Sequence, residues 1–270
     1  MTYGSKAAER LANKVVFLTG ASSGIGAATA KELARVSHGN IRLILTARRE
    51  DKLKELAEKL YQEYPPIKIH ISKLDMASVK HIKPFVSGLP RDFSDVDILI
   101  NNAGKALGKD EVGEVQDKDL EDMFQTNLLG LMGLTQAVLP IFKKKDAGDI
   151  VNIGSIAGRQ AYPGGSIYCA TKAAVKSITD ALRKELISTK IRVLEVDPGA
   201  VRTEFSSVRF YGDEDKAKEV YEGTEPLAPE DVAECIVFGV TRKPNTVVAE
   251  TLLLPTNQAS PFHIFKRNEN

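Results

Sequence analysis

Residues 165–175 read GSIYCATKAAV and set Tyr168 and Lys172 four positions apart, just behind a glycine-rich corner. On a helix that spacing places both side chains on one face. A phenol with a pKa near ~10 is a poor acid or base at neutral pH. A neighbouring cation favours the phenolate, as does the positive end of a helix. The stretch reads as a tuned proton donor, against the plainer alternative of a core tyrosine followed by a solvated lysine.

A second chemistry-bearing stretch is TGASSGIG at 19–26, with glycines at Gly20, Gly24 and Gly26. It follows an apolar run and leads into a helical one. Glycines there permit a tight turn and close approach of a ligand to the backbone, and helix N-terminal amides hold a diphosphate. The spacing is GxxxGxG rather than GxGxxG, and a glycine corner can also serve packing alone. The next apolar run ends in TARR at 46–49. An acidic residue at this place would suit a ribose 2′-hydroxyl, whereas Arg48 and Arg49 suit a 2′-phosphate through charge-assisted hydrogen bonds. The plainer alternative is a surface charge pair leading a helix.

These residues need a frame, and the sequence supplies one. Short β-rich runs recur at 14–19, 41–46, 67–72, 96–100, 149–154, 191–196 and 247–254. Helical patterns separate most of them. In DKLKELAEKLYQEY, Leu53, Leu56, Leu60 and Tyr64 keep the spacing of one buried face. Longer helices are expected around 117–143 and 166–188. Such alternation predicts a single α/β domain with a parallel sheet covered on both faces. The charged segment 204–229 breaks the rhythm, and it reads either as a lid-like substrate segment or as a plain surface excursion.

Composition narrows the function classes. Lys+Arg number 37 and Asp+Glu 36, so no bulk field points to nucleic acid or an anionic membrane. Cys169 and Cys235 lie far apart, which excludes a disulfide framework and suggests a reducing compartment. His38, His70, His81 and His263 show no metal-ligand spacing. The first residues lack the apolar stretch of a signal peptide, and no apolar run has membrane-spanning length. A cytoplasmic protein without a metal is the expectation.

TGASSGIG, NNAG at 101–104, Asn127, Ser155 and YCATK at 168–172 together closely resemble the short-chain dehydrogenase/reductase family, across about residues 13–255. A closer likeness is to its NADP-dependent 3-hydroxy acid (serine or allo-threonine) dehydrogenase branch. It is carried by KAAERLA, NNAGKALG, GSIAGRQAYPGGSIYCATK, LRKELISTKIRV and LLLPTNQASP. The resemblance implies a seven-stranded Rossmann sheet in the order 3-2-1-4-5-6-7. It implies a catalytic set of Asn127, Ser155, Tyr168 and Lys172, and a homotetramer. By the same resemblance NADP is held by Gly20, Ser22, Ser23, Gly24, Ile25, Gly26, Arg48 and Arg49, with Asp75 at the adenine and Asn102 and Gly104 lining the cleft. Lys172 anchors the nicotinamide ribose beside Tyr168, and DPGAVRTEF brings Pro198, Gly199, Val201 and Thr203 to the nicotinamide. Ser155 is implied to hydrogen-bond the substrate oxygen, and the Asn127 carbonyl to hold a water linking Lys172 to solvent. Asp197 carries no assigned chemistry.

A hydroxy acid needs a cation for its carboxylate. Arg159, four residues after Ser155, is the first candidate; Arg202 is the second, and Arg209 lies in the lid-like segment. Tyr162, Phe205 and Phe210 could form an apolar wall that suits ketones as well. The expected function is NADP-dependent hydride transfer between the cofactor and a small 3-hydroxy acid (serine, allo-threonine or 3-hydroxypropionate type) or the matching carbonyl. The alternatives are a broad carbonyl or ketoacyl reductase, or a non-catalytic NADP-binding redox sensor, which would have no need of Ser155, Tyr168 and Lys172.

Overall fold

The computed structural model describes residues 3–267. Seven strands form one parallel sheet: β1 (Val15–Thr19), β2 (Arg42–Ala47), β3 (Lys68–Lys73), β4 (Ile98–Asn101), β5 (Gly148–Ile153), β6 (Ile191–Pro198) and β7 (Glu250–Leu253). Their order is β3-β2-β1-β4-β5-β6-β7, as the resemblance implies. Each strand falls on an expected apolar run. Strands covered on both faces need apolar residues at consecutive positions, and β1 is buried at all five of its positions.

Among the described residues ten α-helices accompany the sheet: α1 (Tyr3–Leu11), α2 (Gly24–Val36), α3 (Glu50–Glu63), α4 (Val79–Ser87), α5 (Asp117–Phe124), α6 (Leu131–Lys145), α7 (Ser166–Glu185), α8 (Phe205–Arg209), α9 (Glu214–Glu219) and α10 (Pro229–Val240). One face of the sheet carries a core with α2, α3 and α10, through residues such as Leu33, Leu53, Leu60 and Val237. On the other face, Ile82 of α4, Leu134, Val138 and Phe142 of α6 and Leu182 of α7 close a second core around Phe17 and Ile150. Each such buried side chain stabilises the fold by ~1.5–3 kcal/mol before entropy is charged.

The helix expected at 117–143 is three pieces in line: α5, a π-helical stretch Gln125–Gly130, and α6. The π stretch was not legible from spacing. Gly130 packs there against the Met76 carbonyl, where a methyl group would collide. Beyond β6, α8 and α9 stand outside the sheet, and their segment is closed at its base by a parallel bridge between Val201 and Leu227. No described helix is long and apolar enough to cross a membrane.

Candidate active site

The chemistry-bearing residues gather at the C-terminal ends of the strands, where an open α/β sheet leaves a crevice. The turn after β1 runs through Gly20 and Gly24, both at positive φ (67° and 51°), a conformation that favours glycine. Gly26 serves differently. It does not line the cleft; a methyl group there would strike the Gly20 carbonyl, so its role is to let α2 close on β1. Asn102 braces the turn, its Nδ2 donating to the carbonyl of Thr19 at 2.8 Å.

A cleft of about 430 Å³ opens above this turn. Ser22, Ser23 and Ile25 line it beside Gly20 and Gly24, with Arg48 and Arg49 at the end of β2 and Asp75 after β3. Asn102, Gly104, Tyr168 and Lys172 form its middle. Pro198, Gly199, Val201 and Thr203 close the far side. Arg49 is already engaged: its Nη2 donates to Glu204 Oε2 at 2.7 Å and to Ser23 Oγ at 2.8 Å.

Ser155 follows β5 and caps a short 3₁₀ turn, its Oγ accepting from the Ala157 amide at 3.1 Å. Tyr168 and Lys172 come from the first turns of α7, so the helical spacing read from the sequence holds. Burial raises the phenol's pKa, and the hydrogen bond with Ser155 lowers it in part. Burial dominates in place of the lowering expected from Lys172, and the group is kept as a neutral acid. The Lys172 ammonium lies 5.9 Å from the Tyr168 ring centroid and donates to the Ile153 carbonyl at 2.7 Å. Burial pushes its pKa down to about 8, opposed chiefly by the negative charge of Asp197.

Asn127 sits in the π stretch and is buried. Its Oδ1 accepts from the Lys105 amide and its Nδ2 donates to the Lys105 carbonyl, each at 2.8 Å. Nδ2 also donates to Thr171 Oγ1 at 3.1 Å, tying the NNAG loop to α7. Asn127 Oδ1 and Lys172 Nζ converge, each within about 3.5 Å of the place a Gly104 methyl would take. The side chain thus fixes the backbone on which the cleft's middle rests.

A second, larger cavity meets the first at Ser155, Tyr168 and Phe205. Phe205 packs edge-on against Tyr168 with ring centroids 5.6 Å apart. Tyr162, Phe210 and Arg209 line this cavity, with Lys109 on its rim. Arg209 lies over the Tyr162 ring at 5.5 Å and donates to Tyr162 Oη and to the carbonyls of Gly108 and Gly164. Segment 258–266 adds Gln258, Phe262 and Lys266, whose role the sequence reading missed. Gln258 Oε1 accepts from the Ala200 amide at 2.8 Å, which stitches this segment onto the loop after β6.

Neither the first candidate, Arg159, nor the second, Arg202, lines either cavity. Arg159 turns away from the crevice and donates to Asp197 Oδ2 at 2.6 Å and to Glu250 Oε2 at 2.8 Å. Its place in sequence beside Ser155 suggested the opposite, but two carboxylates of β6 and β7 capture it. Arg202 is exposed and stacks 5.7 Å from the Tyr221 ring centroid.

Residues 14–212 match the family model described as short chain dehydrogenase. The chain belongs to that family. Among curated members, this short-chain dehydrogenase is 50% identical to an NADP-dependent 3-hydroxy acid dehydrogenase of Schizosaccharomyces pombe, over 96% of this chain and 98% of the relative. It is 41% identical to sulfoacetaldehyde reductase 2 of Chromohalobacter salexigens, over 91% and 95% of the two chains. Among solved structures, a serine dehydrogenase in its closed form complexed with NADP⁺ superposes with a TM-score of 0.85, at 36% identity, over 94% of this chain and 99% of that one.

Proposed function

We propose that this short-chain dehydrogenase is an NADP(H)-dependent oxidoreductase interconverting a small 3-hydroxy acid and the matching carbonyl acid. Serine, allo-threonine and 3-hydroxypropionate are the substrate type. The observation that carries this reading is the placement of Ser155 and Tyr168 where the two cavities meet, with Lys172 beside them in the cleft.

The cleft's donors fit NADP(H). The amides at the N-terminus of α2 suit the diphosphate, and Arg48 and Arg49 suit the 2′-phosphate. Asp75 would meet the adenine, and Lys172 would hold the nicotinamide ribose. Thr126 Oγ1 is buried without a hydrogen-bond partner on a residue that lines the cleft, as expected of a wall built to face a polar ligand. NADP(H), when bound, supplies or accepts the hydride. The protein's own residues manage the substrate and the proton. Ser155 Oγ holds the reacting oxygen and Tyr168 Oη donates its proton in reduction or removes it in oxidation. The Lys172 charge stabilises the phenolate that results.

Three features support an acidic substrate. Arg209 presents a guanidinium to the second cavity, Lys109 adds an ammonium at the rim, and each similar relative or structure named above acts on a molecule that carries an anionic group. Arg209 is the proposed carboxylate partner and replaces Arg159 and Arg202 in that role. The aromatic wall of Phe205, Tyr162 and Phe210 favours a second reading, a broad carbonyl reductase. Steady-state kcat/KM for L-serine and 3-hydroxypropionate with NADP⁺ and NAD⁺, set against neutral ketones with NADPH, tests both. Greater efficiency on neutral ketones would select the second reading, and no turnover of any of them would sink both.

A cytoplasmic homotetramer is proposed with this activity. Leu131 and Leu134 are spent on the core, yet Leu129 on the same helical run is 43% exposed and Met132 only partly covered. An apolar face left over in this way suits a partner copy.

A further inference from the structure

Strand β6 carries two acids, Glu195 and Asp197, on the face that meets α7. Glu195 is fully buried, and neither of its carboxyl oxygens has a hydrogen-bond partner. Asp197 is 1% exposed and fully engaged: Oδ1 accepts from the Ser155 amide at 3.0 Å, and Oδ2 from Arg159 Nε at 2.6 Å. The two acids converge over Gly154. A methyl group on that glycine would collide with Asp197 Oδ1 and lie 2.9 Å from Glu195 Oε1. Two positions apart on one strand, the acids share a face, and the register of β5 brings Gly154 against it, with Ile153 beside Val196 and the Gly154 amide donating to the Val196 carbonyl.

Two ionised carboxylates cannot share such a place, and one with no donor at all is the member that must be neutral. A protonated carboxyl owns a single O–H, and the nearest acceptor is its neighbour on the strand. Burial and the negative charge of Asp197 both hold the proton on Glu195, whose pKa is pushed up to about 8. The charged groups around the pair are Arg159 after β5, Lys172 and Lys176 on α7, and Glu250 on β7. Arg159 bridges Asp197 at 2.6 Å and Glu250 at 2.8 Å, and Lys176 pairs with Glu250 at 2.7 Å. Lys172 donates to a carbonyl instead.

We propose that Asp197 is a positioning residue of the reaction, holding Ser155 through its backbone amide and the positive charge of Lys172 through its own negative one, while Glu195 carries the proton that lets the two acids sit together. The pair is then an electrostatic floor under the site. Its negative charge keeps Lys172 an ammonium at working pH despite burial, and the proton on Glu195 keeps that charge single. Gly154 is required between Ser155 and the strand because any side chain would fill the acids' place.

The test compares Glu195→Gln, which retains one charge, with Glu195→Gln/Asp197→Asn, which retains none. The readout is the ascending limb of kcat/KM against pH for alcohol oxidation. Loss of a nearby negative charge disfavours the protonated forms of both Tyr168 and Lys172, so the double variant's limb moves to lower pH by about one unit relative to Glu195→Gln. A limb left at its wild-type position in both variants would reduce Asp197 to a brace for the loop and overturn the assignment. A Glu195→Gln limb already shifted as far as the double variant's would put the charge on Glu195, which also overturns it. The pH profile rests on the dehydrogenase reading, and a protein without turnover fails that reading instead. Infrared spectroscopy of the wild-type protein is independent of turnover and of the double variant's folding. It should show a protonated-carboxyl stretch at pH 7 that Glu195→Gln removes, and its absence would sink the shared-proton pair.

Discussion

Arg49 and Glu204 join hands across the cleft, guanidinium to carboxylate at 2.7 Å, linking the end of β2 to the segment that leads into α8. The guanidinium that Glu204 holds is one of the two suited to a 2′-phosphate. Phosphate and carboxylate therefore compete for one partner. Both side chains are about half exposed, so the pair is worth at most ~1 kcal/mol. Glu204→Gln should tighten NADPH binding by no more than about fivefold, read by fluorescence titration. Weaker binding would mean that the clasp helps to hold the cofactor. Replacing Arg48 and Arg49 together by glutamine should cut kcat/KM with NADP⁺ on the order of 10²-fold while NAD⁺ loses little.

Tyr168→Phe removes the phenolic proton and little else. A general acid is worth about 10²–10⁴-fold, so turnover should fall by that factor with NADPH binding retained. Activity within tenfold of the parent would take the proton transfer away from Tyr168.

Lys172 links the site to stability. Its pKa of about 8 lies below that of a lysine in an unfolded chain, near ~10.4. Below pH 8 the fold bears the whole cost of a buried ammonium, and that cost fades as pH rises towards ~10.4. Lys172→Met should therefore abolish turnover yet raise the melting temperature at pH 7. The gain is bounded at about 3 kcal/mol, less the lost hydrogen bond to Ile153, and it should shrink by pH 10. A variant less stable than wild type at pH 7 would show that the ammonium's contacts outweigh its desolvation.

The strands were legible because a parallel sheet buried on both faces writes itself as consecutive apolar residues, as in VVFLT. The cofactor turn and the Tyr168–Lys172 pair were legible because their spacing is local. Glu195 and Asp197 were not. They interrupt β6 at alternate positions and so share a face, but only the register of β5 against β6 sets Gly154 beneath them. Arg159 misled for the same reason: nearness in sequence to Ser155 says nothing about carboxylates that arrive from β6 and β7. The tail that lines the second cavity is likewise placed by long-range bonds, from the Ala200 amide to Gln258 and from the Arg267 amide to the Gly223 carbonyl.

Assembly can be tested at Leu129, which is 43% exposed on the π stretch. Leu129→Arg buries nothing in the monomer but would place a charge in the proposed subunit contact, where an unpaired one costs several kcal/mol. Light scattering should show a tetramer for the parent and smaller species for the variant. A parent that is an active monomer at micromolar concentration would dismiss the tetramer.

The substrate carboxylate gives the last prediction. Arg209 holds Tyr162 Oη and the Gly108 and Gly164 carbonyls through three of its five N–H groups, leaving donors for a ligand. Removing it also loosens the loops at Gly108 and Gly164, so Arg209→Gln alone confuses binding with support. Lys109 separates the two. Its ammonium lies 5.3 Å over the Phe210 ring, and desolvation and the neighbouring Arg209 hold its pKa below the usual lysine range. An incoming anion relieves that repulsion. Lys109→Met should raise KM for serine and 3-hydroxypropionate about tenfold, the effect of roughly one charge-assisted hydrogen bond, and leave a neutral ketone of similar size within twofold. Arg209→Gln should raise the hydroxy-acid KM further and, through the loops, lower kcat on both substrates. Arg159→Gln, at a residue facing Asp197 and Glu250 rather than the cavity, should affect acids and ketones alike. Selective loss of acid turnover in Arg159→Gln would return the carboxylate to that side of the sheet and remove it from Arg209.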